Sequence, residues 1–210
     1  DLEFVICLGY KGEVIKEYFL NFKTSNSDFK IDIGTGQINL YKDQDEDWLV
    51  TLVDTGPNSN TGERLKKVKE HVRDDLFFFT YGDGLTNQDL NETLKIHKSK
   101  QKIVTLTAVN PPARYGAVTI ESGLVTTFAE KSTSEHSLIN GGFFVVNPRV
   151  FDFLEGMLNP SWELELLPQL AKIGELAAFE HNGFWFAMDT LRDKEHLDHL
   201  WESGQAPWLN

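Results

Sequence analysis

Apolar residues along this chain come in short runs whose spacing switches between that of strands and that of helices. Glu3 to Leu8 (EFVICL) reads as a short buried strand, and Glu13 to Phe22 carries Val14, Ile15, Tyr18, Phe19 and Phe22 at helical spacing. Residues 23–47 are polar and read as loop, with a solvated acidic cluster at Asp43, Asp45, Glu46 and Asp47. Leu49 to Asp54 is a β-branched strand. The turn-forming stretch Thr55 to Gly62 then feeds a helix, Glu63 to Val72, with Leu65, Val68 and Val72 inward. Phe77 to Tyr81 reads as a strand buried on both faces, as in a parallel sheet, and stops at Gly82-Asp83-Gly84.

The second half repeats the alternation. A helix is expected over Asn87 to Lys98, with Leu90, Leu94 and His97 on one face, then a strand over Ile103 to Ala108. Val118 to Glu121 and Leu124 to Glu130 form a hairpin around Ser122-Gly123. Leu138 to Asn147 is a strand whose Gly141-Gly142 pair suggests a bulge or a close ligand approach. Pro148 opens a short helix to Leu154, and Trp162 to Ile173 is helical with Pro168 interrupting it. Leu176 to Glu180 and Phe184 to Met188 are short strands, the second ending in Asp189, and Thr190 to Ser203 is the terminal helix. Strands alternating with helices predict an α/β domain.

The length, 210 residues, suits one domain, 1–210, with 148–210 as its C-terminal helical and strand portion. Composition narrows the partners. Lys plus Arg is 20 and Asp plus Glu is 32, a net charge of −12. That balance argues against nucleic acid or an anionic membrane as the main partner, though a local basic pocket for phosphates stays compatible with it. The single Cys7 leaves no intramolecular disulfide and lies in an apolar run, as a buried, inert thiol would. With no membrane-length apolar run and no signal-peptide pattern, a cytoplasmic protein is expected. The chain opens at Asp1 directly before a strand, and reads as the remainder of a longer polypeptide.

The candidate chemistry gathers at strand ends. Asp83 lies between two glycines after an aromatic strand, where open α/β sheets bind ligands; it is either a hard-cation ligand or the N-cap of the helix near Asn87. Asp189 ends a second such run, and two carboxylates facing one cleft suit a divalent cation. The small-residue loop 55–62 and Arg64 in the following turn make an anion site plausible against an ordinary loop. Glu130-Lys131 closes the hairpin, as ligand contacts or as a surface pair. His97 is expected to be a packed or surface residue rather than a ligand, and His196 with His199 to lie on an amphipathic helix face.

Six stretches in order resemble the glucose-1-phosphate cytidylyltransferases, a group of sugar-phosphate nucleotidyltransferases. They are Thr51 to Gly56, Thr61 to Lys66, Thr80 to Gly84, Phe128 to Lys131, Ile139 to Val145 and Met188 to Lys194, and the resemblance runs from Tyr10 to Trp208. It implies a doubly wound α/β fold with a mixed sheet, and formation of CDP-glucose and pyrophosphate from CTP and α-D-glucose 1-phosphate, feeding dideoxyhexose synthesis for bacterial O-antigen. Position by position, it implies Asp83 and Asp189 as Mg2+ ligands, and Ser59, Thr61, Gly62, Arg64 and Gly82 lining the nucleotide pocket. Glu130, Lys131, Asn140 and Gly141 correspond to sugar-phosphate contacts, with Lys131 also catalytic. A homo-oligomer is implied as well. The family's first strand, its glycine-rich loop with Gly-Thr-Arg and its Pro-Lys-Pro segment have no counterpart here. That departure keeps a non-catalytic sugar-nucleotide-binding relative in view. A nucleotide-sugar-dependent glycosyltransferase is the other alternative, but that class places two Asp on one turn, where Gly82-Asp83-Gly84 offers a single one.

Overall fold

The computed structural model describes residues 2–41, 47–72, 75–111, 117–121, 124–129 and 138–209. It forms two compact units, one of Asp1–Arg73 with Phe151–Leu166, the other of Asp74–Val150 with Leu167–Asn210.

Unit one begins with β1 (Leu2–Leu8), α1 (Gly12–Leu20), α2 (Phe22–Ser25), β2 (Phe29–Ile31), β3 (Ile38–Leu40), β4 (Trp48–Asp54), α3 (Thr61–Lys67) and α4 (Lys69–Val72). Strands β1 and β4 pair in parallel from Leu2 opposite Trp48 to Leu8 opposite Asp54, as parallel pairing across a long crossover requires. The core holds Leu8, Leu65, Val68 and the fully buried Trp162 and Leu166 of a π-helical turn, Trp162–Leu166. Gly62 lets α3 approach that turn's lead-in: a methyl group there would lie 2.8 Å from the Pro160 carbonyl oxygen.

Unit one departs from the sequence reading in two places. The polar stretch 23–47 contains the β2–β3 hairpin, tightened by Asp32 Oδ1 accepting from the Gly34 and Thr35 amides at 2.8 and 3.2 Å; Asp43, Asp45 and Glu46 lie outside the described residues. The expected helix 63–72 breaks at Val68, whose φ of −101° and ψ of 9° leave the helical range. Helix α1 forms as expected, and its apolar stripe is exposed, Val14 at 55% and Tyr18 at 56%.

Unit two contains β5 (Phe77–Thr80), β6 (Gly84–Thr86), α5 (Leu90–Lys100), β7 (Val104–Val109), β8 (Ala117–Glu121), β9 (Leu124–Ala129) and β10 (Ile139–Val146). After α6 (Val150–Leu154), whose last four residues belong to unit one, come α7 (Leu167–Lys172), β11 (Leu176–His181), β12 (Trp185–Ala187) and α8 (Leu191–Glu202). The main sheet runs β11-β7-β10-β5. It is mixed, β11 being parallel to β7 while β10 runs antiparallel to both β7 and β5. The expected α/β mixed-sheet class therefore holds. The β8–β9 hairpin forms as expected, its Ser122-Gly123 turn lying outside the described residues.

Strand β5 corrects the reading of the aromatic triplet. It is antiparallel, stands last in its unit's strand order, and alternates in exposure: Phe79 stacks on Phe144 at 5.5 Å while Phe78 is 50% exposed. An antiparallel strand commonly packs one face on the core and leaves the other to solvent. The helical run expected over Trp162 to Ile173 changes type just before Pro168, from the π-helical turn Trp162–Leu166 to α7. Pro168 sits in the first turn of α7, where its fixed φ is tolerated.

Helix α5 begins at Leu90 rather than Asn87 and is capped by Asp89, whose Oδ1 accepts from the Asn91 amide at 2.9 Å. Its His97 is buried against β7, Nδ1 lying 2.9 Å from Thr105 Oγ1, and burial holds its pKa below the ordinary histidine value. The folded state thus disfavours the protonated ring. Its contribution to stability is complete above the unfolded pKa of about 6.5 and is lost as pH falls from there toward the folded value. Thermal melting between pH 7.5 and 5 should show a loss in the parent that is shallower in His97→Gln; parallel profiles would contradict the assignment.

Candidate active site

In unit one, the carboxyl ends of the parallel strands β1 and β4 carry the anion-facing candidates. The buried Thr55 comes directly after β4 and ties it to β1, its amide and hydroxyl both donating to the Leu8 carbonyl, at 2.8 and 2.7 Å. Arg64, one turn into α3, reaches the same spot: Nη1 donates to Leu8 O at 3.1 Å and to Thr55 Oγ1 at 2.7 Å. Its guanidinium covers Gly9 so closely that a methyl group there would stand 2.5 Å from Nη1 and Nη2. Cys7 Sγ lies 3.8 Å from the Arg64 carbonyl. Burial pushes this thiol's pKa up, with the Arg64 charge pulling the other way, so it stays protonated at neutral pH and is a poor nucleophile.

The loop after Thr55 turns at Gly56, whose φ of 90° favours glycine, with its amide donating to Asp54 Oδ1 at 2.9 Å. Ser59 Oγ donates to the Thr55 carbonyl and accepts from Lys67 Nζ at 2.9 Å, and Lys67 Nζ also donates to Thr55 O at 2.8 Å. An open cleft of about 310 Å³ lies here, with Asn58, Ser59, Glu63, Lys67 and Asn159 in its wall. Thr61 is spent differently: it donates to Glu163 Oε2 at 2.6 Å and accepts from the Trp162 amide at 3.0 Å. Thr61 and Gly62 therefore join α3 to the π-helical turn.

In unit two, the backbones of the two expected carboxylate residues come together through an element the sequence reading omitted. Strand β6 begins at Gly84, right after Asp83, and runs antiparallel to β12, with Gly84 opposite Ala187. One residue further out, the Asp83 carbonyl accepts from the Met188 amide at 2.8 Å. Asp83 and Asp189 thus stand at the same end of one strand pair, both exposed. They meet at the start of one strand and the end of its antiparallel partner, not at two parallel carboxyl ends. Asp83 does not cap α5, since Asp89 does. Asp189 leads directly into the fixed N-terminus of α8. There Thr190 and Asp193 form a reciprocal capping box, with Thr190 Oγ1 accepting from the Asp193 amide at 3.2 Å and Asp193 Oδ2 from the Thr190 amide at 2.9 Å. Gly82 is open, and a methyl group there would meet no atom within 4 Å.

Asn140 and Gly141 lie at the predicted bulge, where the register of β10 on β7 shifts between Asn140 and Phe144. Asn140 Oδ1 accepts from the Gly142 amide at 2.9 Å, and its Nδ2 stands 3.4 Å from Tyr81 Oη. Gly141 has no room for a side chain, because a methyl group would lie 2.9 Å from Val109 Cγ1. Trp185 Nε1 donates to its carbonyl at 2.7 Å. Sequence reasoning overlooked Tyr81 and Trp185, which frame this bulge; the aromatic residue on each of the two carboxylate-bearing strand runs was the available signal. Glu130 and Lys131 lie outside the described residues. Among the described residues no group of three or more His, Cys, Asp or Glu could hold a metal ion, and His196 packs its ring 5.1 Å from that of Phe186.

Asp83 and Asp189 are exposed carboxylates on adjacent backbone, the donor type that a cation of the magnesium kind takes one or two of beside phosphate oxygens and water. No described helix is long and apolar enough to cross a membrane.

Comparison with known proteins places this geometry. Residues 23–190 match the nucleotidyl transferase family model. Glucose-1-phosphate cytidylyltransferase of Salmonella typhi is 51% identical over 207 residues, 98% of this chain and 80% of that protein. The probable glucose-1-phosphate cytidylyltransferase of Bacillus subtilis is 40% identical over 98% of this chain and 80% of its own length. The fold is shared with HddC from Yersinia pseudotuberculosis, at a TM-score of 0.62 and 18% identity over 95% of this chain and 78% of that one. A putative glucose-1-phosphate thymidylyltransferase from Bacillus anthracis gives a TM-score of 0.58 and 16% identity, over 93% of this chain and 74% of that one. With its mixed sheets, its carboxylate-bearing strand pair and relatives of this identity and coverage, the chain belongs to the nucleotidyl transferase family, in the group of the glucose-1-phosphate cytidylyltransferases.

Proposed function

We propose that this protein joins CTP and α-D-glucose 1-phosphate to give CDP-glucose and pyrophosphate. The observation that carries the reading is the meeting of Asp83 and Asp189 at one end of the β6–β12 pair. The cytidylyltransferase relatives, 51% and 40% identical, support the choice of substrates. A phosphate oxygen of the sugar phosphate attacks the α-phosphorus of CTP; the new P–O bond forms as the bond to the β-phosphate bridge breaks, and pyrophosphate leaves opposite. Both reactants are anions, so positioning and charge neutralisation supply most of the rate, with no covalent nucleophile. Asp83 and Asp189 would hold Mg2+, which would offset phosphate charge. Ser59, Arg64 and Gly82 contact the nucleotide, with Thr61 and Gly62 shaping the loop they share. Asn140 and Gly141 line the sugar, with Glu130 and Lys131 at the sugar phosphate. CDP-glucose then serves bacterial dideoxyhexose and O-antigen synthesis in the cytoplasm, and the working protein is a homo-oligomer.

The test is product analysis with the intact protein, CTP and glucose 1-phosphate. Equal amounts of CDP-glucose and pyrophosphate are expected, only when Mg2+ is present. No pyrophosphate above the blank, or CMP in place of CDP-glucose, would overturn the reading.

A further inference from the structure

Asn159 sits about a hundred residues from the loop it holds. Its Oδ1 accepts from the Asn60 amide at 2.8 Å, its carbonyl from Asn60 Nδ2 at 2.9 Å, and its Nδ2 donates to the Asn58 carbonyl at 3.2 Å. Its φ of 47° is left-handed, a conformation asparagine tolerates better than most side chains. The residues after it continue the docking, since the Pro160 carbonyl accepts from the Glu63 amide at 3.1 Å. Asn159 therefore grips the residues on both sides of Ser59, in the wall of the cleft beside Ser59 and Lys67. The Ser59 hydroxyl is oriented separately, by Thr55 O and Lys67 Nζ.

We propose that Asn159 is a positioning residue for the nucleotide. By fixing Asn58 and Asn60 it sets where Ser59 stands in the cleft, while touching neither the sugar phosphate nor the reacting atoms. The inference rests on Ser59 being a nucleotide contact. Its signature is selective: weaker CTP binding, with turnover at saturating CTP unchanged.

The variants are Asn159→Gly, which keeps the left-handed backbone and removes the amide, Asn159→Asp, which keeps the acceptor for the Asn60 amide, and Ser59→Ala. Calorimetric titration of CTP into the intact protein should show roughly tenfold weaker binding in Asn159→Gly and a smaller loss in Asn159→Asp. kcat and the KM for glucose 1-phosphate should stay within about twofold of the parent. Adding Asn159→Gly to Ser59→Ala should weaken CTP no further. Parental CTP affinity in Asn159→Gly beside a weakened Ser59→Ala overturns this inference alone, as does an equal rise in KM for both substrates. Parental CTP affinity in Ser59→Ala overturns the nucleotide reading, and the inference falls with it. Where Asn159→Gly does not fold, Asn159→Asp decides by the same CTP titration.

Discussion

Asp83→Asn is expected to lower turnover by at least roughly 10²-fold while moving the melting temperature by no more than about 2 °C. The change is nearly isosteric and removes only the carboxylate charge. Everything Asp83 contributes to the fold among its described contacts goes through its backbone, whose carbonyl accepts from the Met188 amide and survives the substitution. The cap of α5 belongs to Asp89, so no helix end is undone. The exposed side chain has no buried environment to upset. Steady-state pyrophosphate release and a thermal melt on the same preparation separate the two effects. A drop in melting temperature matching the drop in rate would mean that the carboxylate is structural.

Arg64→Met is the second large effect: CTP affinity should fall about 10- to 100-fold at a stability cost of about 1 kcal/mol. The cost stays small because the Leu8 carbonyl that Arg64 serves keeps two other donors, the Thr55 amide and hydroxyl. Arg64→Lys should recover little, because a point charge does not reproduce the planar fork lying over Gly9. Calorimetric titration with CTP measures the affinity and a urea melt the stability. Parental CTP affinity in a soluble, folded Arg64→Met would make Arg64 a strand-end brace and nothing more.

The legible parts of this fold were those in which local chemistry and tertiary role agree. Gly141-Gly142 interrupts a β-rich run, and the register of β10 shifts there. His97 falls on the apolar face of a helical pattern and is buried on β7. Helix α8 begins where Thr190 and Asp193 can cap each other. The illegible parts depended on the number of neighbours or on sequence distance. The aromatic triplet of β5 carries no mark saying that its strand would stand last in the order. Strand β6, at three residues, is too short for a period of two to declare itself, yet it is what brings Asp83 beside Asp189. The hairpin in 23–47 hides among polar residues because its strands are equally short. Trp185 acts through a contact 44 residues away, marked in the sequence only as an aromatic on a carboxylate-bearing run, and Asn159 acts about a hundred residues away with nothing in its immediate surroundings to announce it.

The proposal that the two aspartates flanking the β6–β12 pair act together on one cation is tested most directly by Mn2+ titration of the intact protein in the presence of CTP, monitored by electron paramagnetic resonance. A single tight Mn2+ is expected, weakened at least about tenfold by Asp83→Asn and by Asp189→Asn alike. Parental Mn2+ binding in either variant would contradict a shared site and leave the two carboxylates as neighbours without a common ligand.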